Sequence, residues 1–71
     1  MQAQMTTEKA TMMNALYLGT MDAMSIACET GNKRQASAIL GRTVAMRDAK
    51  TISQAGAEEI AGIYVETFGG I

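Results

Sequence analysis

The stretch Glu29-Thr30-Gly31-Asn32 is the clearest interruption in this sequence of 71 residues, and it decides how the chain is divided. Gly31 suits the left-handed conformation that commonly follows the last turn of a helix. Asn32 suits the N-cap of the next helix, and Gln35, three residues later, suits the partner position of a capping box. The stretch therefore predicts a tight turn between two helices.

On the N-terminal side of this turn we expect a helix that begins at Thr6 or Thr7 and covers residues 7–30. Glu8 would lie in its first turn, where a carboxylate complements the positive end of the helix dipole. Its apolar residues recur with helical spacing, which places most of them on one face. The residues on that face are Met13, Leu16, Tyr17, Met21, Met24, Ala27 and Cys28.

Three further apolar residues of this helix, Met12, Leu18 and Ile26, lie outside the common face. The apolar surface is therefore wider than one neighbouring helix needs to cover. This excess predicts a contact with a second helix or with a second copy of the chain.

The second half of the chain contains no proline and no obvious turn before Gly69 and Gly70, which are expected to end its last helix. We therefore predict an all-α fold, an antiparallel helical hairpin of residues 7–30 and 33–68. A helix of about 35 residues against one of about 24 residues would overhang by roughly 16 Å. Apolar residues on the overhang need cover, so the hairpin is expected to self-associate.

A break in the second helix is the alternative interpretation. Thr51-Ile52-Ser53-Gln54 has the pattern of a capping box and could open a third helix. The chain would then be interrupted near residues 50–52 and would fold as a three-helix bundle.

Small residues spaced by four form the most unusual local pattern and favour the hairpin. Such a row makes a shallow ridge over which another helix can approach closely. Ser53 and Ala57 continue the row past Thr51, as an uninterrupted helix would. Chance is the alternative explanation, because 22 of the 71 residues are Ala, Gly or Ser. The residues predicted to serve helix packing or oligomerisation are Ala15, Gly19, Ala23, Gly41, Ala45, Ala49, Ala57 and Ala61.

The composition offers little material for catalysis. The chain has no His and one Cys, so it lacks the commonest general base and cannot form an intramolecular disulfide. Neighbouring carboxylates such as Glu58 and Glu59 diverge by about 100° on a helix. We expect no enzyme activity, no metal and no cofactor. Residues 1–5 are expected to form a frayed N-terminus, and residues 6–71 a single helical domain.

The charges are segregated along the chain, although the net charge is only −1. Five of the six basic residues lie in the segment 33–50, and the segments on either side are net acidic. This basic segment could bind an acidic surface of a partner protein or the phosphates of a nucleic acid. It could also pair with acidic residues of its own fold or of a second copy. The residues predicted to bind a partner are Arg34, Arg42, Arg47, Lys50 and Met12.

These features predict a small protein-binding regulator, adaptor or inhibitor that acts as a helical homo-oligomer, with a dimer favoured. A nucleic-acid-associated protein that uses the basic segment is the alternative. The longest uncharged stretch, residues 10–21, is shorter than the roughly 20 residues that span a membrane, and one unpaired Cys suits the cytoplasm. The outline resembles the small helical-hairpin dimers, of which the Rop proteins of plasmids are an example. This likeness concerns architecture alone and implies no RNA binding. A chain of this size would suit an accessory protein of a phage or plasmid.

Overall fold

The computed structural model describes the backbone of residues 2–70 and the side chains of residues 8–70. Within that part of the chain the regular structure is three helices without a strand: α1 (Gln2–Glu29), α2 (Lys33–Asp48) and α3 (Gln54–Phe68). Each helix contacts the other two. The bundle measures 45 × 19 × 16 Å, and α1 alone, with 28 residues, is about 42 Å long. The long axis of the molecule is therefore the length of α1.

The turn between α1 and α2 confirms the prediction made from Glu29-Thr30-Gly31-Asn32. Gly31 adopts the left-handed conformation with φ 69°, and the N–H of Asn32 donates to the carbonyl of Ala27 at 2.8 Å. The Asn32 side chain accepts the N–H of Gln35 at 3.1 Å and caps α2. At the same end of the bundle the left-handed Gly69 ends α3, as its position predicted.

The hairpin of residues 7–30 and 33–68 is wrong, and the alternative with a break near residues 50–52 is correct. Helix α2 ends at Asp48 because Lys50 turns left-handed, with φ 61°. The N–H groups of Lys50 and Thr51 then donate back to the last turn of α2, at 3.0 and 2.9 Å. This pattern is the Schellman motif, which usually has Gly at the left-handed position. The likeness to helical-hairpin dimers therefore does not hold.

The cap that opens α3 also differs from the predicted one. Ser53 rather than Thr51 is the N-cap, and its hydroxyl oxygen accepts the N–H of Gly56 at 3.0 Å. Ile52 precedes this cap and is only 2% exposed. Its burial in the core fixes the direction in which the chain enters α3.

Helix α1 begins at Gln2, before the predicted start at Thr6 or Thr7. Gln, Ala and Met are good helix formers, and no helix-breaking residue separates residues 2–5 from the rest of the helix. That residues 2–5 fray stays a prediction. Met1 and Ile71, which were included in the predicted segments 1–5 and 6–71, lie outside the described residues.

The core is small and consists of side chains from all three helices and from the second turn. The buried hydroxyl of Thr43 donates to the carbonyl of Ile39 at 2.8 Å, and the hydroxyl of the buried Tyr64 lies 3.1 Å from that of Ser37. Leu16, which was predicted to face the core, is 41% exposed, because it lies on the side of α1 that faces away from α3. The buried apolar residues are Met24, Ala27, Ala36, Ile39, Ile52, Ala57, Ile60 and Tyr64.

The row of small residues does not act as one ridge within the bundle. Ala57 is buried, and Ala23 and Ala61 are half-buried. The row ends at α2 because Ser53 is a cap between two helices and not part of a continuous one. The members of the row that remain exposed in the single chain are Ala15, Gly19, Gly41, Ala45 and Ala49.

The left-handed Lys50 provides a test of the second turn. We expect Lys50→Gly to raise the free energy of unfolding by about 1 kcal/mol, because a residue with a Cβ atom is disfavoured in this conformation. Lys50→Ala keeps the Cβ atom and serves as the matched control for the loss of charge. Urea denaturation measures both variants, and a Lys50→Gly variant no more stable than Lys50→Ala would contradict this account of the turn.

Two glycines of α3 test how closely α1 and α3 pack. A Cβ atom on Gly56 would lie 2.9 Å from Cδ1 of Tyr17, whereas one on Gly62 would meet no atom within 4 Å. We expect Gly56→Ala to cost about 1–3 kcal/mol through overpacking, and Gly62→Ala to gain up to about 1 kcal/mol through helix propensity. Thermal melting of the two variants compares them directly, and equal shifts would show that the Tyr17 ring moves aside freely.

A candidate protein-binding groove

The N-terminal part of α1 projects beyond the other two helices. Lys9 and Met12 lie beside Lys50 and Thr51, in the turn between α2 and α3. The part of α1 that precedes Lys9 therefore extends about 10 Å past this turn. The overhang predicted for a long second helix occurs instead on the first helix.

A groove lies where the overhang meets the turn. It encloses about 450 Å³ between α1 and the end of α2, and its apolar floor is formed mainly by methionine and leucine side chains from α1. Met12 is 66% exposed and Met13 is half-buried. The residues that line the groove are Lys9, Met12, Met13, Leu16, Ala49, Lys50 and Thr51.

The charges around the groove are positive. Lys9 and Lys50 line it from its two sides, and Lys50 also lines a neighbouring cavity of about 480 Å³ together with Arg47 and Asp48. The guanidinium of Arg47 forms an ion pair with Asp48 at 3.2 Å, which offsets its charge. The groove thus combines an apolar floor with two lysines at its edge.

The five residues predicted to bind a partner do not form one site. Met12 and Lys50 line the groove, and Arg47 lies in the cavity beside it. Arg34 lies in the first turn of α2, at the other end of the bundle, and Arg42 lies in the middle of that helix. Around the axis of α2, Arg42 lies about 80° from Arg34, and Arg47 lies about 140° further on. No single face of the helix therefore carries all three arginines.

Lys9, Met13, Leu16 and Thr51 contribute to the groove but were not predicted to bind a partner. A helical wheel of α1 places Lys9, Met12, Met13 and Leu16 on adjacent positions, three or four residues apart, and this spacing was a usable signal. No such signal in the sequence indicated that the second turn lies beside these residues, because its place depends on where α2 ends.

Few described side chains have the surroundings of a reactive group. The Tyr17 hydroxyl donates a hydrogen bond to Glu59, and this bond, followed by desolvation and the negative charge of Glu59, raises the pKa of Tyr17 above its ordinary value of 10.0. The half-buried Cys28 makes a weak contact with the Ile63 carbonyl at 3.9 Å. Among residues 8–70, no three His, Cys, Asp or Glu side chains come together as metal ligands would. No helix in the described part of the chain combines the length and hydropathy needed to cross a membrane.

No protein-family model, curated protein or solved structure matches this chain. Inferences about its function therefore rest on its own residues and geometry.

The hydrogen bond from Tyr17 to Glu59 predicts an alkaline dependence of stability. Because the folded state raises the pKa of Tyr17, the bond stabilises the fold fully below pH 10 and is lost as the pH rises through the folded-state value. We expect Tyr17→Phe to be less stable than the wild type at pH 8, and the difference to shrink above pH 10. Urea denaturation between pH 8 and pH 11 measures it, and a constant difference across that range would contradict the assignment.

Proposed function

We propose that this chain is a small non-enzymatic regulator, adaptor or inhibitor that binds another protein and acts as a helical homo-oligomer. The observation that carries the proposal is the groove between the α1 overhang and the turn after α2. Its floor is apolar, and lysines lie at its edge. An exposed apolar patch with polar residues at its edge commonly marks a site at which another protein binds.

The chemistry of the groove favours a partner helix with an acidic edge. Amphipathic helices bind in grooves of this kind through apolar residues spaced along one face. Met12 and Met13 are flexible and polarizable, which suits a surface that adapts to a partner. Lys9 and Lys50 would attract carboxylates at the edge of that helix and would select against basic partners.

The shape of the single chain supports self-association. It exposes 4974 Å² of surface, whereas a compact monomer of 7.5 kDa would expose about 4,250 Å². Its radius of gyration is 13.1 Å, against about 11 Å expected for a compact chain of this length. Each partner in a stable complex buries roughly 800 Å², and an elongated chain of this kind exposes surface on which a second copy can dock.

Binding to nucleic acid is the weaker explanation of the basic segment. Proteins that bind phosphates through electrostatics place several cations on one face or along one track. Arg34, Arg42 and Arg47 point in different directions around α2, and Arg47 is paired with Asp48.

The groove is tested with a defined probe. An amphipathic peptide helix of Leu and Glu should bind the chain, and the same peptide with Lys in place of Glu should not, because only the first complements Lys9 and Lys50. We expect Lys9→Gln with Lys50→Gln to weaken binding about tenfold, which corresponds to about 1.4 kcal/mol. Met12→Glu should abolish it. Fluorescence anisotropy of labelled peptide measures the affinity.

The control variant removes two cations from the opposite end of the bundle, Lys33→Gln with Arg34→Gln, and should bind the peptide like the wild type. Equal losses in the two double variants would mean that net charge rather than the groove attracts the peptide. Tight binding of mixed-sequence DNA or RNA at physiological salt, falling steeply as salt is added, would instead support the nucleic-acid function.

A further inference from the structure

The outer surface of α1 carries a row of apolar side chains, of which Ala23 packs against the core and the others lie outside it. Its members are spaced alternately by four and three residues, which is the spacing of a coiled-coil seam. Met12 and Ile26, at the two ends of the row, are 66% and 54% exposed. We call this row the outer seam, and it comprises Met12, Leu16, Gly19, Ala23 and Ile26.

The middle of the outer seam is open and has only small side chains. Gly19 is exposed and Ala23 is half-buried, and a Cβ atom on Gly19 would meet no atom within 4 Å. Small residues between larger ones allow the backbone of a second helix to approach closely. The shape therefore fits another helix that lies along α1.

One edge of the outer seam adjoins α2, and the other edge is acidic. Ala23, Ile26 and Ala27 line a shallow cavity together with Gln35 of α2, so Ala27 marks the edge next to α2. Asp22 lies about 140° around α1 from Ala27, on the far edge of the seam. Asp22 is exposed.

The edge next to α2 is basic at the level of Asp22 along the bundle axis. Two pairs of residues align α1 with α2: Ala27 lies beside Gln35, and Leu16 lies beside Ala49. Arg42 lies on α2 between Gln35 and Ala49. It is therefore within about 5 Å of Asp22 along the bundle axis. Arg42 lies about 140° around α2 from Ser37, whose hydroxyl contacts Tyr64 of α3, and so it points away from α3.

Both of these charges lack a partner in the described part of the chain. Arg42 is exposed, like Asp22. The ion pair found among residues 8–70 joins Arg47 and Asp48. The outer seam therefore has an unpaired carboxylate along one edge and an unpaired guanidinium along the other.

We propose that a second copy of the chain docks on the outer seam with its α1 parallel to the first. This inference rests on the self-association included in the proposed function and assigns the surface that performs it. A two-fold axis parallel to α1 places the acidic edge of each copy beside the basic edge of the other. Asp22 of one copy then faces Arg42 of the other, twice per dimer, and Met12, Leu16, Gly19, Ala23 and Ile26 each meet their own equivalents.

An antiparallel dimer of the same seams is electrostatically unfavourable. Its two-fold axis runs perpendicular to α1 and keeps α2 of both copies on the same side. The two Asp22 side chains would then lie along one edge of the interface, and the two Arg42 side chains along the other. Like charges along the same edge oppose such an arrangement and select against it.

The parallel dimer leaves the groove accessible to a partner helix. The second α1 would lie about 9 Å from the first, next to Met12 and Leu16 and across from Lys50. It would form an additional wall of the groove, so that a bound partner helix would contact both copies.

The apolar part of the interface is tested with two variants of matched exposure. Ile26 lies on the outer seam, whereas Leu18, 53% exposed, lies about 120° away from its centre. We expect Ile26→Glu to raise the dimer dissociation constant at least about a hundredfold, and Leu18→Glu to leave it within about twofold. Sedimentation equilibrium measures both, and circular dichroism verifies that each variant keeps its helices.

The charge pairing is tested by exchange. Arg42→Asp alone and Asp22→Arg alone should each weaken the dimer about tenfold, because each places like charges together at both sites. The double variant Arg42→Asp with Asp22→Arg restores opposite charges and should recover most of the affinity. Lys33→Asp is the control and should have little effect. In an antiparallel dimer the double variant would give no recovery.

Cysteine crosslinking in a Cys28→Ala background tests the direction of the helices. Met12→Cys should form a disulfide-linked dimer, because equivalent residues of a parallel pair are adjacent. In an antiparallel pair of the same seams, which is centred on Gly19, the two Met12 positions would be about 21 Å apart. A mixture of the Met12→Cys and Ile26→Cys chains would then crosslink instead.

The outcomes separate this inference from the function on which it rests. A wild-type chain that stays monomeric at about 100 µM would contradict both. A dimer that Ile26→Glu leaves intact, or one that crosslinks between Met12→Cys and Ile26→Cys, would contradict the inference alone. Dimerisation with the predicted crosslink, and with recovery in the exchanged double variant, would establish it.

Discussion

The burial of Ile52 is the interaction on which the arrangement of the three helices depends. It lies in the turn between a left-handed Lys50 and the Ser53 cap, and it is one of the largest fully buried side chains of the molecule. A continuous helix would carry residues 49–53 past the end of the core and would leave Ile52 no position inside it. Once Ile52 is buried, α2 must end and α3 must return along α1. The backbone N–H groups of Lys50 and Thr51 satisfy carbonyls at the end of α2, and the Ser53 side chain caps α3.

Close packing of α1 against α3 then relies on small residues and one aromatic ring. Gly56 leaves space for the Tyr17 ring, which would contact any Cβ atom at that position, and Ala57 follows it into the core. The Tyr17 hydroxyl reaches Glu59 one turn further along α3. Such a core has little area, so the fold depends on many modest contacts rather than on a few large ones.

The sequence predicts the first turn well and the second turn poorly, and the reason is chemical. Gly31 and Asn32 are the residue types that a left-handed position and an N-cap prefer, so the pattern indicates their conformation. At the second turn a Lys occupies the left-handed position, and Ser53 fits the small-residue row as well as it fits a cap. The groove shares this difficulty: Met12 and Lys50 were predicted to bind a partner, but their proximity depends on the second turn, which was only the alternative interpretation of the sequence.

The exposed apolar surface of α1 follows from the lengths of the helices. Helix α1 has 28 residues, and α2 and α3 have 16 and 15, so two antiparallel short helices can cover only part of one side of it. The core uses the inner apolar face of α1, and no further helix among residues 2–70 covers the outer seam. Because the outer seam adjoins α2, its two edges carry the charges of two different segments, one acidic and one basic. Charge segregation along the chain thus becomes charge separation across a surface, and two-fold symmetry about an axis parallel to α1 brings the opposite charges together.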